Sequence, residues 1–217
     1  MKNFSPAVRY AAPFVVWMGI AQLQGFFEGR PLFWIYGLRI VMTAGVLFYS
    51  LKGCAPEIRG KLDRSSVGAG LAVLFFWLLF SIRLIPGSQK ASFDPLLFES
   101  HTARILAILV RIFGAVVMVP VIEELFWRGF LMRYLISKEF LKVRLGAYSH
   151  FSFWVTALAF AFFHSVSDWP AAFLAGIFYG GYLTKTGNFS GCVLAHATTN
   201  LGLAVYILIT QNWGLWG

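Results

Sequence analysis

Two adjacent carboxylates and an arginine, Glu123, Glu124 and Arg128, interrupt a strongly apolar stretch of the sequence. An ionised side chain inside hydrocarbon costs at least about 2.5–3.5 kcal/mol on insertion scales, so such residues are candidates for function. On a helix, Glu124 and Arg128 share a face, which suits an ion pair, whereas Glu123 is rotated about 100° away. Glu123 is therefore the candidate general base for taking a proton from water. The alternative is a structural ion-pair cluster of both glutamates with Arg128 or Arg111.

Two histidines lie in other apolar stretches. His164 ends one stretch, four residues after Phe160, and His196 lies inside the last stretch, four residues before Asn200. A lone histidine on an apolar helix is more often a hydrogen-bonded packing residue than a catalyst, so the spacing leaves both roles open. Cys192 shares a helical stripe with His196 and Asn200, and a buried packing thiol is favoured there over a nucleophile.

The elements that carry these residues are predicted to be apolar membrane helices. Of the 217 residues, 59% are hydrophobic and only 12% are charged, against about 25% charged in typical soluble domains. This composition excludes a water-soluble protein, and at about 20 residues per span it leaves no room for a separate soluble domain. We predict an all-α, polytopic transmembrane helix bundle of about seven spans with a buried catalytic cavity. Residues 1–217 form one integral-membrane domain with a motif-bearing core at about 115–205. The predicted spans are 10–27, 32–51, 67–85, 105–121 continuing into 125–136, 149–163, 171–183 and 189–210.

Charge predicts the orientation of this bundle. The net charge is +9, and basic residues of membrane proteins concentrate in cytoplasmic loops beside anionic lipid, so nucleic acid is not an expected partner. The loops on one side carry eleven basic residues and those on the other carry four, which predicts a cytoplasmic amino terminus. The eleven are Lys2, Arg9, Lys52, Arg59, Lys61, Arg64, Arg133, Lys138, Lys142, Arg144 and Lys185, and the four are Arg30, Arg83, Lys90 and Arg104.

The first span and the two cysteines agree with an integral-membrane protein. The first span, 10–27, lacks a small-residue cleavage site and is interpreted as a retained helix. Cys54 and Cys192 are too few for a disulfide framework, and the sequence has no paired-cysteine zinc motif.

Pro120 is predicted to break or kink the helix that carries the glutamates. A straight helix from 104 to 136 would be about 50 Å long, against roughly 30 Å of hydrocarbon, and proline removes a helical N–H. The glutamates would then lie in the first turn after the break, where free N–H groups help to stabilise an anion. Antiparallel helices on either side of the basic connection at 137–148 would place Glu123 and His164 at a similar depth, about 21–24 Å from that loop.

Glycines predict close helix contacts and one turn. Gly176, Gly180 and Gly181 form a stripe of small residues that lets helices approach closely. The segment 185–188 reads as a tight turn between the last two spans.

Taken in order, the three spaced pairs resemble a known family. Glu123-Glu124 with Arg128 (EExxxR), Phe160 with His164 (FxxxH) and His196 with Asn200 (HxxxN) look like the three motifs of the CPBP family of intramembrane proteases. That family includes type II CAAX prenyl endopeptidases and bacterial Abi or bacteriocin-processing proteins. The resemblance spans about residues 115–205 and includes the glycine-rich helix and the Thr-Gly turn. Residues 1–100 match only in being hydrophobic helices.

The resemblance implies an endopeptidase that hydrolyses membrane-anchored or prenylated, CAAX-like substrates. It implies that Glu123 activates water with help from His164, and that His196 and Asn200 stabilise the oxyanion. Glu124 and Arg128 would support the site. Family members have often been called metalloproteases, and Glu123, His164 and His196 could hold zinc with water as the fourth ligand. A metal-free glutamate mechanism is preferred, because the sequence has no HExxH pair.

Two other function classes fit some of these residues. One is a catalytically silent membrane scaffold or immunity protein, and the intact motif set argues against it. The other is a proton-coupled transporter in which Glu123 and His164 carry protons, although the chain lacks the repeats typical of such transporters. The expected location is a bacterial plasma membrane, because a compact chain with short loops suits a bacterial member. Neither the substrate nor the oligomeric state can be read from the sequence.

Overall fold

A computed structural model describes residues 5–27, 31–58, 60–61, 63–81 and 93–216. These ranges contain no β-strand and fold into seven main helices, which confirms the predicted all-α class. The helices are α1 (Pro6–Gln22), α2 (Pro31–Ile58), α3 (Arg64–Leu79), α4 (His101–Tyr134), α5 (His150–Phe162), α6 (Trp169–Thr186) and α7 (Phe189–Thr210).

Polar caps explain where several helices begin. The Ser5 hydroxyl accepts a hydrogen bond from the Val8 N–H, so α1 begins at Pro6, four residues before the predicted span. Asp63 caps α3 in the same way through the Ser66 N–H. Side-chain oxygens at these positions satisfy N–H groups that have no partner inside the helix.

The predicted turn at 185–188 is confirmed. Helix α6 ends at Gly187, whose φ of 64° lies in the left-handed region that favours glycine. Asn188 follows and accepts a hydrogen bond from the Gly191 N–H at 3.1 Å, which begins α7. The turn therefore joins α6 and α7 as an antiparallel pair.

Three of the helices are long and apolar enough to cross a membrane. They are α4, α7 and the part of α2 at Leu32–Lys52. Helices α3 and α5 are apolar but shorter. Large apolar side chains such as Val41, Phe75 and Ile209 are exposed on the outside of the bundle, as lipid-facing side chains are in a helical membrane protein.

The predicted break at Pro120 is wrong, because α4 is one continuous helix of 34 residues. Two π-helical stretches, Gly114–Met118 and Leu125–Leu131, lie on either side of the proline. A π turn inserts an extra residue into the hydrogen-bond ladder, and the helix can continue through a position that lacks an N–H. The glutamates therefore lie in mid-helix, not in a first turn with free N–H groups.

Small residues bring the helices close around the centre of the bundle. A Cβ atom on Gly70 of α3 would lie 2.3 Å from the Ala195 carbonyl oxygen of α7, and one on Gly176 of α6 would lie 2.9 Å from the Ala157 Cα of α5. Gly180 also meets a neighbour, the ring of Phe153. Gly181 has open space around it, so its predicted packing role is wrong.

Some predictions about the first half of the chain fall on residues that are not described. Among the basic residues counted for orientation, Lys2, Arg30, Arg59, Arg83 and Lys90 lie outside the described ranges, as do the last residues of the predicted span 67–85 and the side chain of Cys54. The predicted loop 52–64 is helical as far as Ile58, because α2 continues beyond its apolar part.

Candidate active site

A cavity of about 420 Å³ opens between the helices, and five of the seven motif residues line it: Glu123, Phe160, His164, His196 and Asn200. These residues come from α4, from α5 and the segment after it, and from α7. Their convergence depends on long-range packing, since α7 packs alongside α4 at the turns around Pro120. The other two motif residues, Glu124 and Arg128, are buried behind the cavity wall.

Glu124 is the centre of a buried hydrogen-bond cluster. Its Oε1 accepts from Arg128 Nη1 at 3.1 Å and lies 2.9 Å from His196 Nδ1. Its Oε2 lies 3.2 Å from the Cys192 Sγ. The exposed fraction is 0% for Glu124 and 1% for Arg128. The predicted ion pair between Glu124 and Arg128 is therefore present, and its geometry is that of a buried, charge-assisted contact.

Arg128 links this cluster to the neighbouring helices. Its Nη2 donates to the Gly176 carbonyl of α6 at 3.3 Å, and its guanidinium lies 4.6 Å from the centre of the Phe160 ring. The close approach of α5 and α6 at Gly176 places both groups within reach. Arg128 therefore fixes the position of Glu124 relative to two other helices.

Glu123 has very different surroundings. It is 8% exposed, and its Oε2 is buried with no hydrogen-bond partner among the described residues. It borders the cavity instead of the Glu124 cluster. The two adjacent glutamates thus have different surroundings, as the helical rotation predicts. Among the described contacts, only Glu124 joins the ion-pair cluster, which differs from the alternative in which both glutamates join it.

His164 follows the end of α5, and its four-residue spacing from Phe160 lets its ring contact the last carbonyls of that helix. A helix leaves its last four carbonyls without main-chain partners. The His164 N–H bonds the Ala161 carbonyl at 2.9 Å, and the His164 Nδ1 lies 2.8 Å from the Phe160 carbonyl oxygen. A carbonyl only accepts, so we assign the proton to Nδ1. In the neutral ring, Nε2 is then free to accept a proton.

Aromatic neighbours hold the same ring from two sides. The Phe160 ring centre lies 4.8 Å from that of His164, and the Trp77 ring centre lies 5.6 Å away. The Trp169 indole N–H donates to the His164 carbonyl at 3.1 Å. These contacts fix His164 although it lies beyond the end of α5.

His196 is oriented by the Glu124 cluster and by a stacked ring. Its Nδ1 donates to the Glu124 carboxylate, and the Tyr179 ring stacks on it with centres 4.9 Å apart. The Tyr179 hydroxyl donates to Thr199 at 2.7 Å, and the Thr199 hydroxyl lies 2.8 Å from the Gly70 carbonyl oxygen. The Glu124 carboxylate fixes the orientation of the ring through Nδ1 and leaves Nε2 as the other polar atom of the ring.

Asn200 contacts the backbone of α4. Its Nδ2 donates to the Ala115 carbonyl at 2.8 Å, across the packed faces of α7 and α4. An amide nitrogen carries two hydrogens, so one N–H is used in this bond and the second is available. Both Asn200 and Ala115 line the cavity.

The cavity contains two arginines whose roles the sequence analysis did not predict. Arg39 of α2 donates from Nε to the Trp17 carbonyl at 2.8 Å, and Arg111 of α4 donates from Nη2 to the Trp216 carbonyl at 2.6 Å. Both are largely buried and line the cavity, together with Asp168. The rule that marked Glu123, an ionisable residue inside a predicted span, also applies to Arg39 and would have identified it.

Cys192 does not line the cavity, and its side chain is fully buried. Its thiol is shared between the Glu124 carboxylate and the Tyr179 carbonyl. The structure therefore agrees with a packing residue that also hydrogen-bonds the buried cluster.

The side chains that could hold a metal are dispersed. In the described part of the chain, no group of three or more histidine, cysteine, aspartate and glutamate residues has positions that could hold a metal ion. His196 and Glu124 contact each other directly, while Glu123 lines the cavity.

Comparison with known proteins identifies the motif-bearing part of the chain. Residues 105–202 match the family described as type II CAAX prenyl endopeptidase, Rce1-like. The seven motif residues all lie inside the matched segment, and the match confirms the resemblance that they carry. No curated protein and no solved structure matches the chain. The family match favours a membrane protease and does not favour the transporter or scaffold alternatives.

Proposed function

We propose that this chain, whose motif-bearing segment matches the type II CAAX prenyl endopeptidase family, is an intramembrane endopeptidase that uses a glutamate-activated water. The observation that carries the proposal is the contrast between the two glutamates. Glu124 is fully engaged by Arg128, His196 and Cys192, whereas Glu123, at the edge of the cavity, has a buried oxygen that finds no partner in the described part of the chain. A carboxylate of that kind is suited to bind and deprotonate water.

The reaction starts with a water molecule between Glu123 and His164. The Glu123 carboxylate takes one proton from the water, while His164 Nε2 accepts a hydrogen bond from it and orients the oxygen. The oxygen then bonds to the scissile carbonyl carbon and gives a tetrahedral intermediate. When the C–N bond breaks, the proton held by Glu123 passes, directly or through His164, to the leaving amine, and a new carboxyl group remains.

The oxyanion of the intermediate is stabilised by donors on α7. With a proton on each ring nitrogen, His196 donates from Nδ1 to Glu124 and from Nε2 to the oxyanion. The second N–H of Asn200 is the other donor. Donors that are held in place before the reaction are worth about 10²–10³ in rate each. Glu124 and Arg128 support this arrangement through His196.

The substrate class follows from the family and from the charge of the cavity. We propose that the substrate is a membrane-anchored or prenylated peptide that reaches the site from the bilayer. We also propose that the protein is a multi-pass protein of a bacterial plasma membrane and that its amino terminus is cytoplasmic. Arg39 and Arg111 line the same cavity as Glu123, and their positive charge suits a peptide carboxylate. No metal is proposed, because zinc would take up Glu123, His164 and His196 as ligands, and Glu124 is already held by Arg128 and so is not an obvious base.

Peptide cleavage in a bilayer tests the proposal. Purified protein in proteoliposomes is incubated in ¹⁸O-enriched water with a panel of prenylated and acylated peptides, and the products are analysed by mass spectrometry. We expect two fragments, with ¹⁸O in the new carboxyl group. Glu139→Gln, which changes an exposed loop glutamate paired with Lys142, is the control that should keep full activity. Intact peptides with every member of the panel would contradict the proposal.

A further inference from the structure

The turn that precedes Glu123 lacks one main-chain hydrogen bond. In the π-helical stretch of α4, the Val119 N–H bonds the Gly114 carbonyl, five residues earlier. The next bond in the same register would join the N–H of residue 120 to the carbonyl of Ala115. Residue 120 is proline and has no N–H, so the helix itself cannot supply that donor.

A side chain from another helix supplies it. Asn200 Nδ2 donates to the Ala115 carbonyl oxygen at 2.8 Å. A buried carbonyl without a donor destabilises the folded protein, so this contact has a structural reason independent of any reaction. It also joins α7 to α4 at Ala115, eight residues before Glu123 on the same helix.

We propose that Asn200 is a positioning residue for Glu123, which replaces the N–H that Pro120 lacks and holds the π turn of α4 against α7. This role rests on the proposed function and adds to it, because the same amide keeps a second N–H for the oxyanion. Without the contact, the turn can return to α-helical register, in which the Val119 N–H would bond the Ala115 carbonyl. One residue of register change rotates the following side chains by about 100°, and Glu123 would leave the cavity.

A double-mutant cycle between Asn200 and Pro120 tests the inference. Pro120→Ala restores an N–H that can bond Ala115, so the Asn200 contact becomes dispensable for stability. We expect Asn200→Ala to lower the apparent Tm by several degrees in the natural background and by less than half as much in the Pro120→Ala background. Pro120→Ala should fold, since it adds a main-chain hydrogen bond inside a helix. Pro13→Ala in α1 is the matched control, and with Asn200→Ala its effect should be additive.

The kinetics separate positioning from general stability. Below the Tm of all variants, Asn200→Ala should lower kcat at least tenfold with KM nearly unchanged, and the loss should be at least threefold smaller in the Pro120→Ala background. Equal Tm losses and equal kcat ratios in both backgrounds would overturn the inference and leave Asn200 as an oxyanion donor alone. The Tm cycle needs no substrate, so it remains decisive even if the protein cleaves nothing and the proposed function fails.

Discussion

The adjacent glutamates should differ sharply in their effect on stability. Glu124→Gln keeps the shape and the acceptor oxygen but removes the negative charge that faces the Arg128 guanidinium at 3.1 Å, and Arg128 is only 1% exposed. Removing one member of a buried ion pair costs about 3–5 kcal/mol, because the other charge stays buried. At about 2–4 °C per kcal/mol for a chain of this size, the apparent Tm should fall by about 6–20 °C.

Glu123→Gln should have almost no such effect. Oε2 of Glu123 has no hydrogen-bond partner among the described residues, so changing the carboxylate to an amide breaks no contact of that oxygen. We expect its Tm to stay within about 2 °C of the natural protein or to rise. Thermal unfolding in one detergent, followed by intrinsic fluorescence, measures all variants together.

The pair of variants also has an internal control. Replacing both members of the ion pair, Glu124→Gln with Arg128→Met, removes the stranded charge and should recover much of the lost Tm. If Glu123→Gln lowers the Tm as much as Glu124→Gln does, or if Glu124→Gln has no effect, the division of roles between the two glutamates is wrong.

Three further predictions concern the metal, the orientation and the acid stability. Activity should survive exhaustive chelation in metal-free buffer, whereas bound stoichiometric zinc, with activity lost on its removal and restored on its return, would refute the metal-free mechanism. Single cysteines introduced at Lys61 and Lys142 in a cysteine-free protein should react with impermeant reagents only after the cells are opened, because both positions are predicted to face the cytoplasm. Labelling from outside intact cells would contradict the predicted orientation. Hydrogen bonds from Ser65, Tyr182 and the Ser66 N–H lower the pKa of Asp63 to about 2, below its unfolded value of about 3.9. The stabilisation by Asp63 should therefore be complete above about pH 4 and be lost as the pH falls toward 2, and Asp63→Asn should remove that component from the acid unfolding curve.

The sequence predicts the helical class and the separation of the two glutamates because both follow from local rules. Hydropathy sets the number and approximate position of the helices, and the four-residue spacing of Glu124 and Arg128 sets their shared face. The helix ends are less predictable, since caps such as Ser5 extend α1 beyond its apolar core.

Contacts between distant parts of the chain explain what the sequence could not predict. Pro120 indicates a break by the local rule, yet α4 continues through two π-helical stretches, and the distant Asn200 bonds the Ala115 carbonyl that Pro120 leaves without an N–H donor. Likewise, no spacing rule joins His196 to Glu124, and no rule places Arg39 of α2 in the same cavity as Glu123. These contacts arise from packing between helices that the sequence pattern does not order in space.

The rate of peptide hydrolysis by Glu123→Gln tests the central claim most directly. The measurement compares this variant with the natural protein and with Glu139→Gln, in the same proteoliposomes, on a peptide that the natural protein cleaves and at a temperature where all three are folded. Removing a general base costs about 10²–10⁴-fold, so we predict a loss of that size for Glu123→Gln and none for Glu139→Gln. Hydrolysis by Glu123→Gln at the rate of the natural protein would contradict the claim that Glu123 activates the water.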